Sequence, residues 1–220
     1  MKLYHDPVST TSRPVTLLVE TLGLPVEMET VSILGGEQNR PAYLAVNPKG
    51  LVPALELEPG IVLTECTAIL QYLACYHAPE LYPCAPLKRA RVNEMLSWFS
   101  TDLHLCLDVL TVYPQTLLAG TFSAETCAEM AAFAAPRLAR QLDLLDRTLS
   151  THPFVAGEAM TIADFLGVAY VTMAELVDFD FGPWPAVCAW IARMKSLSGW
   201  DTAYAAFEGL RAAGRLVPAA

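Results

Sequence analysis

The alternation of apolar and polar residues divides this chain into two regimes. Up to about residue 78, short segments alternate between strand-like and helix-like patterns. Lys2 to His5 and Val26 to Val31 are predicted strands, and between them Arg13 to Leu22 has helical spacing that ends at Gly23. The first regime therefore predicts a mixed α/β unit.

The stretch from residue 47 to residue 74, NPKGLVPALELEPGIVLTECTAILQYLA, continues this regime with a hairpin and a helix. Ala54 to Leu57 and Ile61 to Leu63 are two short apolar runs on either side of a Pro-Gly turn, which is typical of a hairpin. Glu65 to Tyr76 then has a helical pattern. We expect a unit of residues 1–78 that contains a small sheet and its helices.

The second regime is helical. Residues 79–87 hold three prolines and are predicted to form a linker, and residues 88–220 are predicted to form an all-helical unit. Apolar residues recur at helical spacing along this unit, and Pro136 is expected to kink or interrupt the second long helix. The fold class predicted is an α/β domain followed by an all-α domain.

Composition excludes several functions. The 220 residues carry a formal net charge of −9, so there is no basic face for nucleic acid, and an anionic substrate needs local positive groups. No apolar run is long enough to predict a membrane span. The six cysteines form no CxxC pair and no metal-ligand spacing with histidine, so we expect no metal and a reducing, cytoplasmic location.

Two features of the 47–74 stretch favour a peptide-like anionic ligand. Val52-Pro53 precedes a strand, and a cis bond there would leave the valine backbone free to pair with an extended peptide; an ordinary trans proline at a strand edge is the alternative. Thr64 is a plausible N-cap for the next helix, with Glu65 and Cys66 in its first turn. A carboxylate could bind the Cys66 N–H and an ammonium group could bind Glu65, although a plain helix start has the same pattern.

A run of hydroxyl residues, Ser9-Thr10-Thr11-Ser12, precedes the first helix. Ser12 is the best candidate for its N-cap. Ser9 would then be free to donate a hydrogen bond to a bound thiolate, which lowers a thiol pKa because it favours the charged form; capping alone is the alternative function of the run. Further on, Thr161 and Asp164 have the spacing of a capping box, which we interpret as structural.

Taken together, NPKGLVPALEL and LTECTAILQYLA resemble the Val-Pro and acidic-residue signatures of the glutathione transferases, and TIADF resembles their C-terminal capping motif. The nearest class is the bacterial beta class, because Ser-Thr-Asp-Leu-His, ending at His104, is similar to the helix that carries its active-site histidine. That class has a cysteine in the first loop where this chain has Ser9 and Thr10, and the serine resembles the theta-class pattern.

The resemblance implies a thioredoxin-like N-terminal domain, a helical C-terminal domain and a homodimer. It implies that glutathione is the co-substrate and that five residues of the 47–74 stretch bind it: Lys49, Val52, Pro53, Glu65 and Cys66. Ser9 or Thr10 would stabilise the thiolate, and the acceptor would lie near His104 and Tyr113.

The activity implied is conjugation of the glutathione thiolate to small hydrophobic electrophiles. A glutathione-dependent disulfide or peroxide reductase and a non-catalytic binding protein are the alternatives.

Overall fold

The computed structural model describes residues 1–213. The first half contains four strands and three α-helices. Their bounds are β1 Lys2–His5, α1 Arg13–Leu22, β2 Glu27–Thr30, α2 Pro41–Leu44, β3 Ala54–Glu58, β4 Ile61–Thr64 and α3 Cys66–His77.

The four strands form one mixed sheet in the order β2-β1-β3-β4. β1 is parallel to β2, with Leu3 opposite Met28, and antiparallel to β3, with Leu3 opposite Leu55. Leu3 and Leu55 are both fully buried, so the register places the apolar residues of the central strands in the core. The predicted thioredoxin-like α/β unit is confirmed.

The second half is helical. Its α-helices are α4 Pro86–Trp98, α5 Ala124–Thr151, α6 Ile162–Val171, α7 Pro185–Lys195 and α8 Trp200–Ala212. After α4 the chain continues as π-helical turns over Phe99–Leu103 and Leu105–Val112. We call residues 99–112 the helical wall, because this segment faces the α/β half. Of the helices in residues 1–213, none combines the length and apolarity needed to cross a bilayer.

The two halves share one continuous hydrophobic core, and Arg13 at the start of α1 bonds across their junction. Its guanidinium is fully buried and donates to the Ala169 carbonyl at 3.0 Å and to the Thr172 hydroxyl at 3.3 Å. The same group lies 4.0 Å from the centre of the Phe207 ring on α8. The first helix is therefore held by the helical half as well as by the sheet.

Two proline predictions need correction. α4 begins at Pro86, inside the segment predicted as linker, because a proline at the first helical position loses no hydrogen bond. Pro136 lies within α5, which runs from Ala124 to Thr151 without a break. Leu138, Leu142 and Leu145 of that helix are buried, and this packing outweighs the single lost backbone bond. The domain limits 1–78, 79–87 and 88–220 stay predictions.

The capping box predicted for α6 is confirmed. The Thr161 hydroxyl accepts from the Ala163 N–H, and the Asp164 carboxylate accepts from the Thr161 N–H at 2.8 Å. The same carboxylate also accepts from the Val155 N–H and from the Trp190 indole, each at 3.0 Å. Asp164 is completely buried, so it joins three separate parts of the helical half.

Candidate functional site

A cavity of about 320 Å³ lies where the α/β half meets the helical wall, at the small end of the size range of ligand sites. The predicted binding residues that line it are Lys49, Val52, Pro53, Glu65 and Cys66. Thr11 lines it from the first loop, and Ser100 and Tyr170 line it from the helical half. The structure thus brings the five predicted binding residues together with seven further residues, among them Thr11, Ser100 and Tyr170.

A larger cavity, about 570 Å³, lies between α4 and α5. None of the predicted site residues lines it; its walls include Met95, Trp98 and Leu145. The smaller cavity is the better candidate because backbone groups, opposite charges and hydroxyls converge on it.

The loop before β3 has a fixed shape. The Val52-Pro53 peptide bond is cis, which settles the alternative left open by the sequence. The Leu51 carbonyl accepts from the Tyr43 hydroxyl and from the Asn47 amide, both at 2.6 Å. These two hydrogen bonds anchor the loop, so the Val52 backbone at the cavity is rigidly held.

The junction of β4 and α3 differs from the prediction. Thr64 is the last residue of β4 rather than the cap; Glu65 occupies the N-cap position, and α3 begins at Cys66. Glu65 has φ 72° and ψ 119°, a backbone conformation that costs a non-glycine residue about 1–3 kcal/mol. This conformation turns the chain from strand directly into helix and leaves the first N–H groups of α3 at the cavity, where they suit an anion.

Two opposite charges meet at this junction. The Lys49 Nζ lies 2.5 Å from the Glu65 Oε1, and both side chains are more than half exposed. An exposed ion pair of this kind contributes at most about 1 kcal/mol. Lys49 and Glu65 are therefore available to a charged ligand at low cost.

Cys66 contributes a backbone N–H to the site, not a nucleophile. Its side chain is 7% exposed, and burial, together with the charge of Glu65, raises the pKa of its thiol. A thiol in such surroundings stays protonated and unreactive near neutral pH.

The hydroxyls of the first loop point in different directions. Thr11 lines the cavity, and its hydroxyl donates to the Val52 carbonyl at 2.8 Å. Ser9 lies behind it, with its Oγ 3.1 Å from the Thr11 Oγ1, and Thr10 accepts a hydrogen bond from the Tyr113 hydroxyl at 2.9 Å. Neither predicted donor, Ser9 or Thr10, lines the cavity. Ser12 is at the N-cap position of α1 without a side-chain capping bond.

His104 and Tyr113, the predicted acceptor-side residues, lie behind the cavity surface. The His104 ring stacks on Tyr170 with 4.8 Å between centroids and meets the edge of Tyr113 at 5.7 Å. Tyr170 therefore separates His104 from the cavity. Burial raises the pKa of the Tyr113 and Tyr170 hydroxyls, so both stay protonated and neutral.

Asp108 holds His104 in place. Its Oδ2 lies 2.7 Å from the His104 Nδ1, and the carboxyl is completely buried. Burial raises the pKa of Asp108 to about 6, against the opposing effects of His104 and Arg13. The histidine is therefore held within the helical wall by the buried Asp108 carboxylate.

Thr11, Ser100 and Tyr170 line the cavity but were not predicted as site residues, and the sequence indicates them to different degrees. Thr11 belongs to the hydroxyl run, so the sequence shows its hydroxyl but not the direction in which that hydroxyl points. Ser100 begins the Ser-Thr-Asp-Leu-His segment, of which only His104 was predicted as a site residue, and Tyr170 lies on an apolar helix. Both reach the cavity only because the two halves pack together. Within residues 1–213 there is no cluster of three His, Cys, Asp or Glu side chains suited to a metal ion.

Comparison with known families and proteins places the chain among similar sequences over most of its length. Residues 3–80 match the family model of the glutathione S-transferase N-terminal domain, and residues 88–197 match that of the C-terminal domain. The human protein glutathione S-transferase theta-2B is 30% identical over 204 residues, which are 90% of this chain and 82% of that protein. Glutathione S-transferase D7 of Drosophila melanogaster is 29% identical, over 91% of this chain and 87% of that one.

Solved structures agree with these sequence matches. A delta-class glutathione transferase of Nilaparvata lugens superposes with a TM-score of 0.83 at 28% identity, covering 97% of both chains. Human glutathione transferase theta-2, solved in complex with glutathione and an unknown ligand, gives a TM-score of 0.85 at 26% identity, covering 97% of this chain and 89% of that one. A glutathione S-transferase of Pseudomonas fluorescens gives 0.78 at 33% identity, covering 89% and 94%.

Proposed function

The chain belongs to the glutathione S-transferase family and is an enzyme of that class, and from this premise we propose how its cavity works. Glutathione binds there, its thiol is stabilised as the thiolate, and the thiolate attacks a small hydrophobic electrophile. The observation that carries the proposal is the gathering of the cis-proline loop, the α3 N-terminus and a first-loop hydroxyl around one cavity.

Each end of glutathione has a complementary group. The Glu65 carboxylate receives the ammonium of the γ-glutamyl group, and the Cys66 N–H, at the positive end of the α3 dipole, receives the neighbouring carboxylate. The Val52 backbone pairs with the cysteinyl residue as an added strand, supported by Pro53, and Lys49 faces a carboxylate. These assignments place the sulfur toward the first loop.

The electrophile occupies the side of the cavity that the helical half supplies. Ser100 and Tyr170 face it directly, and His104 and Tyr113 support Tyr170 and the first loop from behind. Because these residues come from distant parts of the helical half, they can vary without disturbing the glutathione side.

The class within the family is part of the proposal. The similarity to the bacterial beta class lies in the residues that end at His104, whereas the named relatives are of the theta and D types. The first loop has no cysteine, so we assign the chain a first loop in which a hydroxyl stabilises the thiolate. We combine this with a histidine in the helical wall that resembles the histidine of the beta class.

We also propose that the protein is a homodimer and works in the cytoplasm. The homodimer follows from the family resemblance, and the location is supported by six free thiols, three of them on exposed residues. Light scattering coupled to size-exclusion chromatography measures the oligomeric state directly. A monomer at micromolar concentration contradicts this part of the proposal.

The experiment that tests the function compares two reactions on the purified protein. Thiol consumption is followed with glutathione and an aryl halide, and in parallel with glutathione and a small model disulfide. We expect conjugation of the halide, because the first loop has no cysteine to form a mixed disulfide and the Cys66 thiol is buried. Reduction of the disulfide without conjugation identifies the reductase instead, and calorimetry without any glutathione binding at millimolar concentration overturns both activities.

A further inference from the structure

The Val52 carbonyl already has a hydrogen-bond donor within the chain. The Thr11 hydroxyl donates to it at 2.8 Å, at the edge of the cavity where the proposed function places the ligand's cysteinyl backbone. A carbonyl oxygen accepts two hydrogen bonds, but a hydroxyl has one proton to give. The ligand and Thr11 therefore meet at one acceptor.

The Thr11 hydroxyl is the last member of a short series of hydrogen bonds. Because the proton of Thr11 is directed at Val52, the 3.1 Å contact between the Ser9 and Thr11 hydroxyls has Ser9 as its donor. The Ser9 Oγ in turn accepts from the Ser12 N–H at 3.3 Å. The hydrogen bonds thus run from the start of α1 through Ser9 to Thr11 and reach the cavity there.

Thr10 takes no part in this series. Its hydroxyl accepts from Tyr113 and so faces the helical half. Of the three adjacent hydroxyl residues, Thr11 alone has both a cavity position and a proton held by an acceptor that a ligand would share.

We propose that Thr11 is the direct donor to the glutathione sulfur and that ligand binding releases it for this purpose. The inference rests on the proposed function. The Val52 carbonyl can accept from Thr11 and from the cysteinyl N–H of the ligand together, but the charged sulfur is the stronger acceptor. The Thr11 proton therefore turns to the sulfur, while the ligand N–H keeps the carbonyl paired and Ser9 continues to donate to the Thr11 oxygen. The thiol loses its proton to solvent, and no bond of the protein is made or broken apart from the exchanged hydrogen bond.

This exchange has a functional consequence. Without the peptide backbone of the ligand, the turn of the Thr11 proton would leave the Val52 carbonyl without a donor, so a thiol that lacks this backbone is activated less. Ser9 is a positioning residue here, because it acts on the sulfur through Thr11 and not by contact.

The test measures the pKa of the bound thiol from the ultraviolet absorbance of its thiolate across a pH series. Thr11→Val removes the hydroxyl at nearly constant shape, and we expect it to raise the bound thiol pKa by about one unit or more while the Kd for glutathione changes less than about threefold. Thr11→Ser should restore the wild-type value. Ser9→Ala should give a smaller rise, and Thr10→Val should give none.

A second measurement follows the exchange itself. S-methylglutathione has the ligand backbone but no thiol, so it gains nothing from a released hydroxyl. Thr11→Val should bind it as tightly as the wild type, since the Val52 carbonyl accepts from the ligand N–H whether or not Thr11 also donates.

The outcomes separate the inference from the function beneath it. If the wild type binds no glutathione, the proposed function itself fails. If it binds glutathione and Ser9→Ala raises the thiol pKa while Thr11→Val leaves it unchanged, Ser9 is the direct donor and this inference is wrong, but the function stands.

Discussion

Two charged groups of the α/β half and two of the helical half lie in opposite surroundings. Lys49 and Glu65 are more than half exposed beside the cavity, and each has the other as a salt-bridge partner. Asp108 and Asp164 are completely buried among helices. For these four groups, charge serves binding at the cavity and folding among the helices, and each prediction tests that division.

Loss of Asp164 should have the largest effect, and it should act on stability alone. Asp164→Ala leaves the buried donors of Val155, Thr161 and Trp190 without their acceptor, so we expect the free energy of unfolding to fall by about 3–5 kcal/mol. Urea denaturation measures this. Asp201→Ala, at an exposed position on α8, is the matched control and should change stability by less than about 0.5 kcal/mol.

The division predicts that the folded fraction of Asp164→Ala still binds glutathione with wild-type Kd, since α6 reaches the cavity only at its far end. A tenfold loss of affinity would show that the helical cap also serves binding.

Asp108 should affect how stability depends on pH. Its pKa is about 6 in the folded protein against an ordinary 3.8, so between these values the folded state holds a proton that the unfolded state has released. Stability from this group is therefore fully present below pH 4 and is lost as pH rises through 6, by on the order of 2–3 kcal/mol. Asp164 has a pKa raised to about 6 for the same reason.

Asp108→Asn should remove about half of that combined pH dependence, because one of the two shifted carboxyls remains. Urea midpoints at half-unit steps from pH 4 to pH 7 measure the slope for wild type and variant. Identical slopes would mean that Asp108 is not desolvated as its burial indicates.

Glu65 should show the reverse behaviour, with an effect on binding and little on stability. Glu65→Gln keeps the shape of the side chain but cannot neutralise an ammonium group, so we expect the Kd for glutathione to rise about 10- to 100-fold. Calorimetric titration measures it, with Glu58→Gln at the exposed end of β3 as the control. An unfolding free energy lowered by more than about 1 kcal/mol would contradict the division.

Tyr170 is the exception to the division, and the smallest effect is expected there. It belongs to the helical half yet lines the cavity, so Tyr170→Leu should widen the electrophile side and leave the Kd for glutathione within about twofold. The kcat/KM ratio of a bulky to a small aryl halide should rise about fivefold, the scale of a small change in an apolar pocket. Tyr76→Leu, at a residue 71% exposed on α3, is the control. An equal loss for both halides would make Tyr170 a structural residue only.

The sequence predicts the α/β half well because its signals are local. The helix Arg13–Leu22 has the predicted limits, since the left-handed Gly23 and the following proline mark its end. All five predicted glutathione ligands line one cavity because they lie within 18 residues of one another around a hairpin. Residues this close in sequence are brought together by local structure alone.

The rest depends on contacts between distant residues. Nothing in the pattern shows that Glu65 takes a positive φ, which moves the cap by one residue. The π-helical register of residues 99–112 sets where Ser100 points, and the pairing with Val52 sets where Thr11 points. Thr11 and Val52 are 41 positions apart in the chain and Ser100 lies in the other half, so no short window of sequence contains these contacts.

Lys49 and Glu65 are ion-pair partners of each other before the ligand binds, and each takes a charged group of the ligand as its partner afterwards. A zwitterionic peptide that enters the cavity separates one ion pair and forms new ones with the same two side chains, so the net gain in electrostatic attraction is small. Dissolved salt screens the original ion pair and the ion pairs that replace it to a similar degree. Although two of the anchors for the ligand, Lys49 and Glu65, are charged, its affinity should therefore vary little with ionic strength.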